Sequence, residues 1–306
     1  MVVLWRRLFI NQREYLYFEN LKTGRVFMER KKVTPQELKE KKKRREKIVR
    51  IVCYDYPMAL LADRAGVDGI LVGDSVGMVQ LGMNGTTAVT MEEMIHHCKA
   101  VMRAVKYALV IGDLPFGYYE PSIPEAVRSA CRLMKEGGVD AIKLEGGKGF
   151  APTVRAIVDA GIPVVGHIGL TPQTASMLGG YKAQGKDAAT ARKLLEDARA
   201  LEDAGAFMLT VECVPYRVAK IMAEQLSIPV TGCGAGPYVD GQTINIYDIL
   251  GLFDRFTPKH VKKYHNLAAE ILRSLETYKQ EVSEGVFPTE ENSFYISNEE
   301  LEAALR

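Results

Sequence analysis

Eight short apolar runs, each followed by a loop and a longer amphipathic segment, constrain the fold of this 306-residue chain most strongly. Near-continuous apolar runs separated by helical segments are typical of a parallel sheet whose faces are covered by helices. The alternation starts at residue 48 and continues to residue 251. The runs lie at residues 48–55, 69–75, 108–115, 141–147, 163–169, 208–215, 229–236 and 244–251.

The segments between the runs have the sequence signals of helices. Residues 123–138 place Ala126, Ala130 and Leu133 on one face and end in two glycines, which is a helix C-cap signal. A doubly wound sheet is the alternative, but it usually carries a glycine-rich fingerprint after its first strand, and none follows residue 55. The pattern therefore favours an α/β protein with a single (β/α)8 TIM barrel.

The first 33 residues fit neither kind of segment, and they predict an N-terminal appendage. We expect the catalytic barrel to occupy residues 34–290 and a C-terminal tail to occupy residues 291–306. Residues 1–50 contain 16 Lys or Arg and 6 acidic residues, and much of this excess lies in residues 37–47. Such a run suits either a nucleic-acid-binding or membrane-binding arm, or a solvated helix.

We favour the solvated helix for this basic segment, with no nucleic-acid or membrane partner. Thr34 and Glu37 have the spacing of a capping box, and no aromatic residues interleave the charges. No apolar run approaches the 18 residues of a membrane helix, and the first ten residues are too short and too Arg-interrupted for a secretory leader. The five cysteines have no metal-type spacing and suit reduced thiols, so we expect a cytoplasmic protein.

Polar side chains stand at or just beyond the ends of five of the apolar runs. Because the carboxyl ends of barrel strands meet at one mouth, we expect these groups to form one active site. Taken singly, each acid also suits a loop cap or a surface ion pair, and a histidine there also suits the core. The series as a whole favours a site. Its members are Asp74, Ser75, Asp113, Lys143, Glu145, His167 and Glu212.

Three of these acids indicate a cation site. Asp74, Asp113 and Glu145 come without cysteine or clustered histidine, and all-oxygen ligation suits Mg²⁺. Lys143 lies two residues before Glu145 on one strand, so both side chains face the same side. Glu212 is flanked by apolar residues, and burial of a carboxyl favours its use as a general base, although pairing with Lys143 or a backbone donor is the alternative.

A glycine-rich segment at residues 179–186 follows the fifth run. It lacks the Gly-Lys-Ser/Thr ending of a phosphate-binding loop, and we expect it to be a mobile lid over the barrel mouth.

These motifs, taken together and in order, resemble the ketopantoate hydroxymethyltransferase (3-methyl-2-oxobutanoate hydroxymethyltransferase) family over residues 34–295. The departures are the loop at residues 82–90 and Asn292, where the family more often has histidine. The motifs that carry the resemblance are VGDS, GDLPF, IKLEGG, GHIGLTPQ, GGYKAQG, ECVP and GCGAG followed by DGQ.

The resemblance implies a Mg²⁺-dependent barrel of the phosphoenolpyruvate mutase and isocitrate lyase type that assembles as a homo-oligomer, often a decamer. Such an enzyme transfers a one-carbon unit from 5,10-methylenetetrahydrofolate to 3-methyl-2-oxobutanoate in pantothenate biosynthesis. It implies Asp74 and Asp113 as metal ligands that also contact the substrate, with Glu145 completing the metal site directly or through water.

The same resemblance implies roles for the remaining site residues. Ser75 and Lys143 would hold the keto acid's carboxylate and oxygen, Glu212 would be the base, and His167 would lie near the incoming hydroxymethyl group. Two rivals stay open. One is a lyase or mutase of the same barrel type, although the Lys-Lys-Cys-Gly loop of the lyases is missing. The other is a non-catalytic scaffold or nucleic-acid binder.

Overall fold

Eight parallel strands close into a barrel in the computed structural model, which describes residues 30–306. Each strand pairs in parallel with the next along the chain, and β8 pairs with β1. The predicted TIM barrel is confirmed. The strands are β1 Ile48–Val52, β2 Gly69–Val72, β3 Leu109–Asp113, β4 Ala141–Glu145, β5 Val164–Gly169, β6 Met208–Glu212, β7 Val230–Cys233 and β8 Gly241–Asn245.

Helices follow the strands, and several begin where side chains cap the first turn. Thr34, Asp55, Thr90 and Asp187 accept backbone N–H groups of the turns that follow them. The α-helices are α1 Pro35–Lys43, α2 Tyr56–Ala65, α3 Val76–Val79, α4 Met91–Ala104, α5 Ile123–Arg132, α6 Ala151–Asp159, α7 Ala188–Asp203, α8 Tyr216–Gln225, α9 Ile246–Ile249, α10 Leu267–Ser283 and α11 Asn298–Ala304.

The prediction for the eighth strand was wrong in its position. The apolar run 244–251 predicted a strand, whereas β8 starts at Gly241 and residues from Ile246 form α9. A Cβ at Gly241 would lie 2.2 Å from the Ile48 carbonyl oxygen, so only glycine permits this close approach of β8 to β1. The strand begins with Gly241, Gln242 and Thr243, so its apolar pattern is weak.

The basic segment is structural in this fold. Leu38 on α1 is fully buried against the lower end of the barrel interior. Lys41 lies 2.6 Å from Asp68, and Lys42 lies 2.8 Å from Asp240, at acids that precede β2 and β8. The helix predicted here is confirmed, and these two cations are paired with acids of the barrel. Residues 1–29, most of the predicted appendage, lie outside the described residues.

The barrel interior changes from apolar to polar along the strands. Its lower layer is formed by side chains such as Ile48, Leu71, Leu109 and Met208. Arg50 lies fully buried among them, and its Nη1 donates to Thr210 and Thr231. On β3 to β6 the ionisable groups come two or four residues later than the lower layer, because side chains alternate between the two faces and every second residue points into the barrel. They are thereby collected at the carboxyl end.

Among residues 30–306, no helix is long and apolar enough to cross a membrane.

Candidate active site

The site lies at the carboxyl ends of β2 to β6. Asp113, Glu145 and Glu212 are the last residues of β3, β4 and β6, while Asp74 follows β2 closely. Strand register places Asp113 beside Lys143 and Glu145 beside His167. The predicted convergence of the seven side chains on one mouth therefore agrees with the fold, although their roles stay predictions.

Lys143 is the buried cation among the acids. Its Nζ lies 2.7 Å from Asp113 Oδ1 and 3.9 Å from Glu145 Oε1, and all three side chains are buried. Burial opposes the charge on Lys143, but Asp113 and Glu145 outweigh it and raise the pKa of the ammonium above its ordinary value. The Asp113 oxygen is paired by charge, yet accepts no aligned hydrogen bond.

His167 links the two glutamates of the site. Its Nδ1 lies 3.2 Å from Glu145 Oε1, and its Nε2 lies 3.3 Å from Glu212 Oε2. Burial and the Lys143 ammonium oppose a charge on this imidazole. The contacts with Glu145 and Glu212 outweigh them and raise the pKa of His167 to about 9. His167 therefore lies between the two carboxylates, with the Lys143 Nζ 3.3 Å from its Nδ1 and, within residues 30–306, no aligned hydrogen bond at its Nε2.

Gln173 connects Asp74 with Glu145. The sequence analysis did not identify it as a site residue. Its Nε2 donates to Asp74 Oδ2 at 2.8 Å, and its backbone N–H donates to Glu145 Oε2 at 3.0 Å. The buried Tyr119 donates to the Gln173 side-chain oxygen. Gln173 is the last residue of the GHIGLTPQ motif, and Tyr119 lies three residues after the GDLPF motif. In the sequence, both residues look like ordinary polar residues of loops, and nothing in the motifs predicts these contacts.

The clustered carboxylates repel one another. Burial raises the pKa of Asp74 well above its usual range, and the charges of Asp113 and Glu145 raise it further. Burial also raises the pKa of Asp113, against the opposing effect of Lys143. Burial alone would raise the pKa of Glu145, but His167 and Lys143 hold it below its ordinary value. Such a cluster is stabilised by an added cation.

The geometry beside Asp113 suits a small cation with water ligands. A Cβ at Gly73 would lie 3.6 Å from Asp113 Oδ2 and 3.3 Å from Ser75 Oγ, so the glycine leaves space between these oxygens. Both oxygens of Glu145 already contact His167 or Gln173, which fits a contact through water. No three His, Cys, Asp or Glu side chains are arranged as metal ligands within residues 30–306. Magnesium sites often use only one or two carboxylates plus water.

Glu212 is more exposed than the sequence predicts. Its neighbours in sequence are apolar, which favoured a buried carboxyl group. Its side chain is 20% exposed, whereas those of His167 and Glu145 are 3% and 2% exposed. The next residue, Cys213, has a φ of 48°, in the left-handed region that is uncommon for a non-glycine residue. The chain turns there, directly after Glu212, and leaves the carboxylate at the open mouth.

The predicted lid lies beside this mouth. Its Tyr181 hydroxyl is 3.8 Å from the Met78 sulfur, and the backbone N–H of Gln184 donates to the Cys213 carbonyl at 2.9 Å. Burial and the charges of Asp74, Glu145 and Glu212 raise the pKa of Tyr181, which places its phenol near the acids. The mobility of this segment stays a prediction.

Solved structures share the fold of this chain. A phosphonopyruvate hydrolase structure is 13% identical with a TM-score of 0.56, over 88% of this chain and 93% of that chain. A structure of 2,3-dimethylmalate lyase, titled a PEP mutase/isocitrate lyase superfamily member, is 16% identical with a TM-score of 0.54, over 80% and 86%. These structures therefore have the same α/β barrel fold as this chain.

Sequence comparison then specifies the family. Residues 32–290 match the family model described as ketopantoate hydroxymethyltransferase. The 3-methyl-2-oxobutanoate hydroxymethyltransferase of Moorella thermoacetica is 56% identical over 266 residues, which are 87% of this chain and 99% of that protein. The chain belongs to the ketopantoate hydroxymethyltransferase family, as its motifs predicted.

Proposed function

We propose that this protein transfers a hydroxymethyl group from 5,10-methylenetetrahydrofolate to 3-methyl-2-oxobutanoate, giving 2-dehydropantoate in pantothenate biosynthesis. The observation that carries the proposal is the arrangement of the mouth. The buried carboxylate of Asp113 lies 2.7 Å from Lys143 and accepts the backbone N–H of Asp74, and His167 lies between this cluster and the partly exposed Glu212. Family membership and the printed names of the relatives support the same activity.

The carboxylate cluster is the proposed Mg²⁺ site. Asp74 and Asp113 would hold the ion, with Glu145 acting through water because its oxygens are engaged. When bound, the ion supplies Lewis acidity that polarises the keto group and favours loss of the neighbouring C3 proton. Without the ion, burial of these carboxylates is unfavourable, and the pKa values of Asp74 and Asp113 are raised for this reason.

The protein's own side chains then perform the binding and the proton transfer. Lys143 and Ser75 would hold the carboxylate and keto oxygen of 3-methyl-2-oxobutanoate. Glu212 would take the C3 proton, since it lies at the open end of the cluster, with its Oε2 3.3 Å from His167 Nε2. A positioned base typically contributes about 10²–10⁴-fold in rate.

We also propose a homo-oligomer, for which the last long helix is the support. No residue of α10 is buried, yet apolar side chains repeat along it at helical spacing. An exposed stripe of this kind is typical of a protein interface. The stripe residues are Ile271, Leu272, Leu275, Tyr278 and Val282. The decamer implied by the resemblance, the domain boundaries and the cytoplasmic location stay predictions.

Product formation tests the proposed activity. Purified full-length protein with Mg²⁺, both substrates and a mass-spectrometric assay should give 2-dehydropantoate, and EDTA should suppress it. Glu212→Gln should lose the activity, whereas Glu224→Gln, at an exposed ion pair on α8, should retain it. Absence of product from the wild-type protein, or full activity of Glu212→Gln, would contradict the proposal.

A further inference from the structure

We propose that Asn245 and Tyr54 are positioning residues that orient the Ser75 hydroxyl as a hydrogen-bond donor toward the carboxylate or keto oxygen of the substrate. The inference rests on the proposed function, in which Ser75 binds the keto acid. It goes beyond that function because it assigns the direction of each hydrogen bond behind the site. The chain of contacts runs from Asn245 at the end of β8, through Tyr54 two residues after β1, to Ser75 in the loop after β2.

The amide of Asn245 sets the direction. Its Oδ1 accepts the backbone N–H of Tyr247 at 3.1 Å, the cap of α9. Its Nδ2 must therefore face the Tyr54 hydroxyl, 2.7 Å away. An amide nitrogen only donates, so the Tyr54 oxygen is the acceptor in this contact.

The proton of the Tyr54 hydroxyl then has one destination. Tyr54 is fully buried, and its oxygen lies 2.7 Å from Ser75 Oγ. Leaving a buried donor without an acceptor costs about 1–3 kcal/mol, and the Asn245 amide nitrogen cannot accept. Tyr54 therefore donates to Ser75. Burial raises the pKa of Tyr54, so the phenol keeps its proton, and stacking on Tyr247 at 5.5 Å between ring centres holds the ring.

Ser75 is left with its own proton to give. It stands at the start of α3 without accepting a hydrogen bond from that helix, which a serine there commonly does. Its oxygen borders the space left by Gly73, opposite Asp113 Oδ2. Within the part of the chain from residue 30 onward, Tyr54 is the one hydrogen-bond partner of its oxygen. The Ser75 O–H is thus available to an anionic substrate.

Substitution of Asn245 by aspartate reverses the relay while keeping the helix cap. In Asn245→Asp, the new carboxylate accepts the Tyr54 proton, so the Tyr54 oxygen becomes an acceptor that competes with the substrate for the Ser75 proton. Loss of a hydrogen bond to a charged group raises the dissociation constant about tenfold or more. We expect this loss of affinity for the keto acid in Asn245→Asp. Titration calorimetry of 3-methyl-2-oxobutanoate with the Mg²⁺-loaded protein measures this constant.

The Tyr54→Phe background separates the relay from the added charge. Without the phenol there is nothing to reverse, so Asn245→Asp should change the dissociation constant by less than about twofold there. A tenfold loss in both backgrounds would show a direct charge effect and overturn the relay, as would no loss in the wild-type background. Should Asn245→Asp fail to fold, Asn245→Ala, which removes the donor without adding charge, serves in the same two backgrounds. We expect a smaller loss, confined to the background that has Tyr54.

The wild-type protein distinguishes the two proposals. If it binds the keto acid and exchanges its C3 proton while Asn245→Asp behaves like wild type, the relay alone is wrong. If the wild-type protein neither binds the keto acid nor exchanges its C3 proton, the proposed function is wrong. The relay, which rests on that function, is then wrong as well.

Discussion

Removal of the buried Lys143 ammonium should lower the free energy of unfolding far more than removal of a solvent-exposed lysine. In both cases the lysine nitrogen lies 2.7 Å from a carboxylate oxygen. In Lys143→Met, Asp113 and Glu145 remain buried while their shared cation is gone. Loss of one partner of a buried pair costs about 3–5 kcal/mol, because the remaining charge is left uncompensated. The Lys143 side chain is 4% exposed, so solvent screens this pair very little.

The matched control is Lys193→Met. Lys193 Nζ is also 2.7 Å from a carboxylate, that of Asp197, but the lysine side chain is 72% exposed. The Lys193 ammonium stays in water, and Asp197, although its side chain is only 6% exposed, also accepts the backbone N–H of Lys148, so this substitution should cost about 0–1 kcal/mol. The two variants share the change in chemistry and differ in the burial of the lysine, which isolates burial of the ammonium as the cause.

Urea unfolding of both variants in metal-free buffer at several pH values is the assay. The pKa of Asp113 is raised in the folded state, so protonation of this carboxyl relieves the uncompensated charge as the pH falls. The loss in Lys143→Met should therefore shrink toward acid pH. Equal losses in the two variants, or a loss in Lys143→Met that does not change with pH, would refute the reasoning.

Three further outcomes are expected. Asp74→Asn should raise the free energy of unfolding of the metal-free protein at neutral pH, because a repelled buried carboxylate becomes neutral. The same variant should lose the Mg²⁺-induced rise in melting temperature, and an unchanged rise would argue against Asp74 as a ligand. His167 has a raised pKa, so its charge stabilises the metal-free fold below pH 6.5 and loses this effect as the pH rises through about 9. The stability difference from His167→Gln should therefore narrow between these values in urea titrations, and a constant difference would contradict the imidazolium. Leu275→Glu, on the exposed stripe of α10, should lower the mass measured by light scattering, whereas Glu276→Gln should not. Equal masses would mean that the stripe is not an interface.

The barrel could be predicted from the sequence because its signal is local and repeated. Seven of the eight apolar runs contain an observed strand, and the caps at Thr34 and Thr90 mark the starts of helices. The eighth run failed because the β8 strand depends on a close approach at Gly241, which is a property of two neighbouring backbones. Apolar periodicity carries no information about such an approach.

The membership of the site was predictable, but its connections were not. Strand-end position places Asp113, Lys143 and Glu145 at the mouth, whereas the pairing of His167 with two glutamates depends on side-chain geometry across three strands. Gln173 was missed for the same reason. Its amide has no distinctive spacing, and its importance comes from two buried carboxylates far away in the sequence.

Exchange of the C3 proton of 3-methyl-2-oxobutanoate in D₂O tests the central claim most directly. Proton NMR with the wild-type protein should show the C3 signal disappear when Mg²⁺ is present and persist when it is absent. Glu212→Ala should abolish this exchange and keep the Mg²⁺-induced rise in melting temperature. No exchange by the wild-type protein under either condition would contradict the account, and exchange by Glu212→Ala at the wild-type rate would remove Glu212 from its role as base.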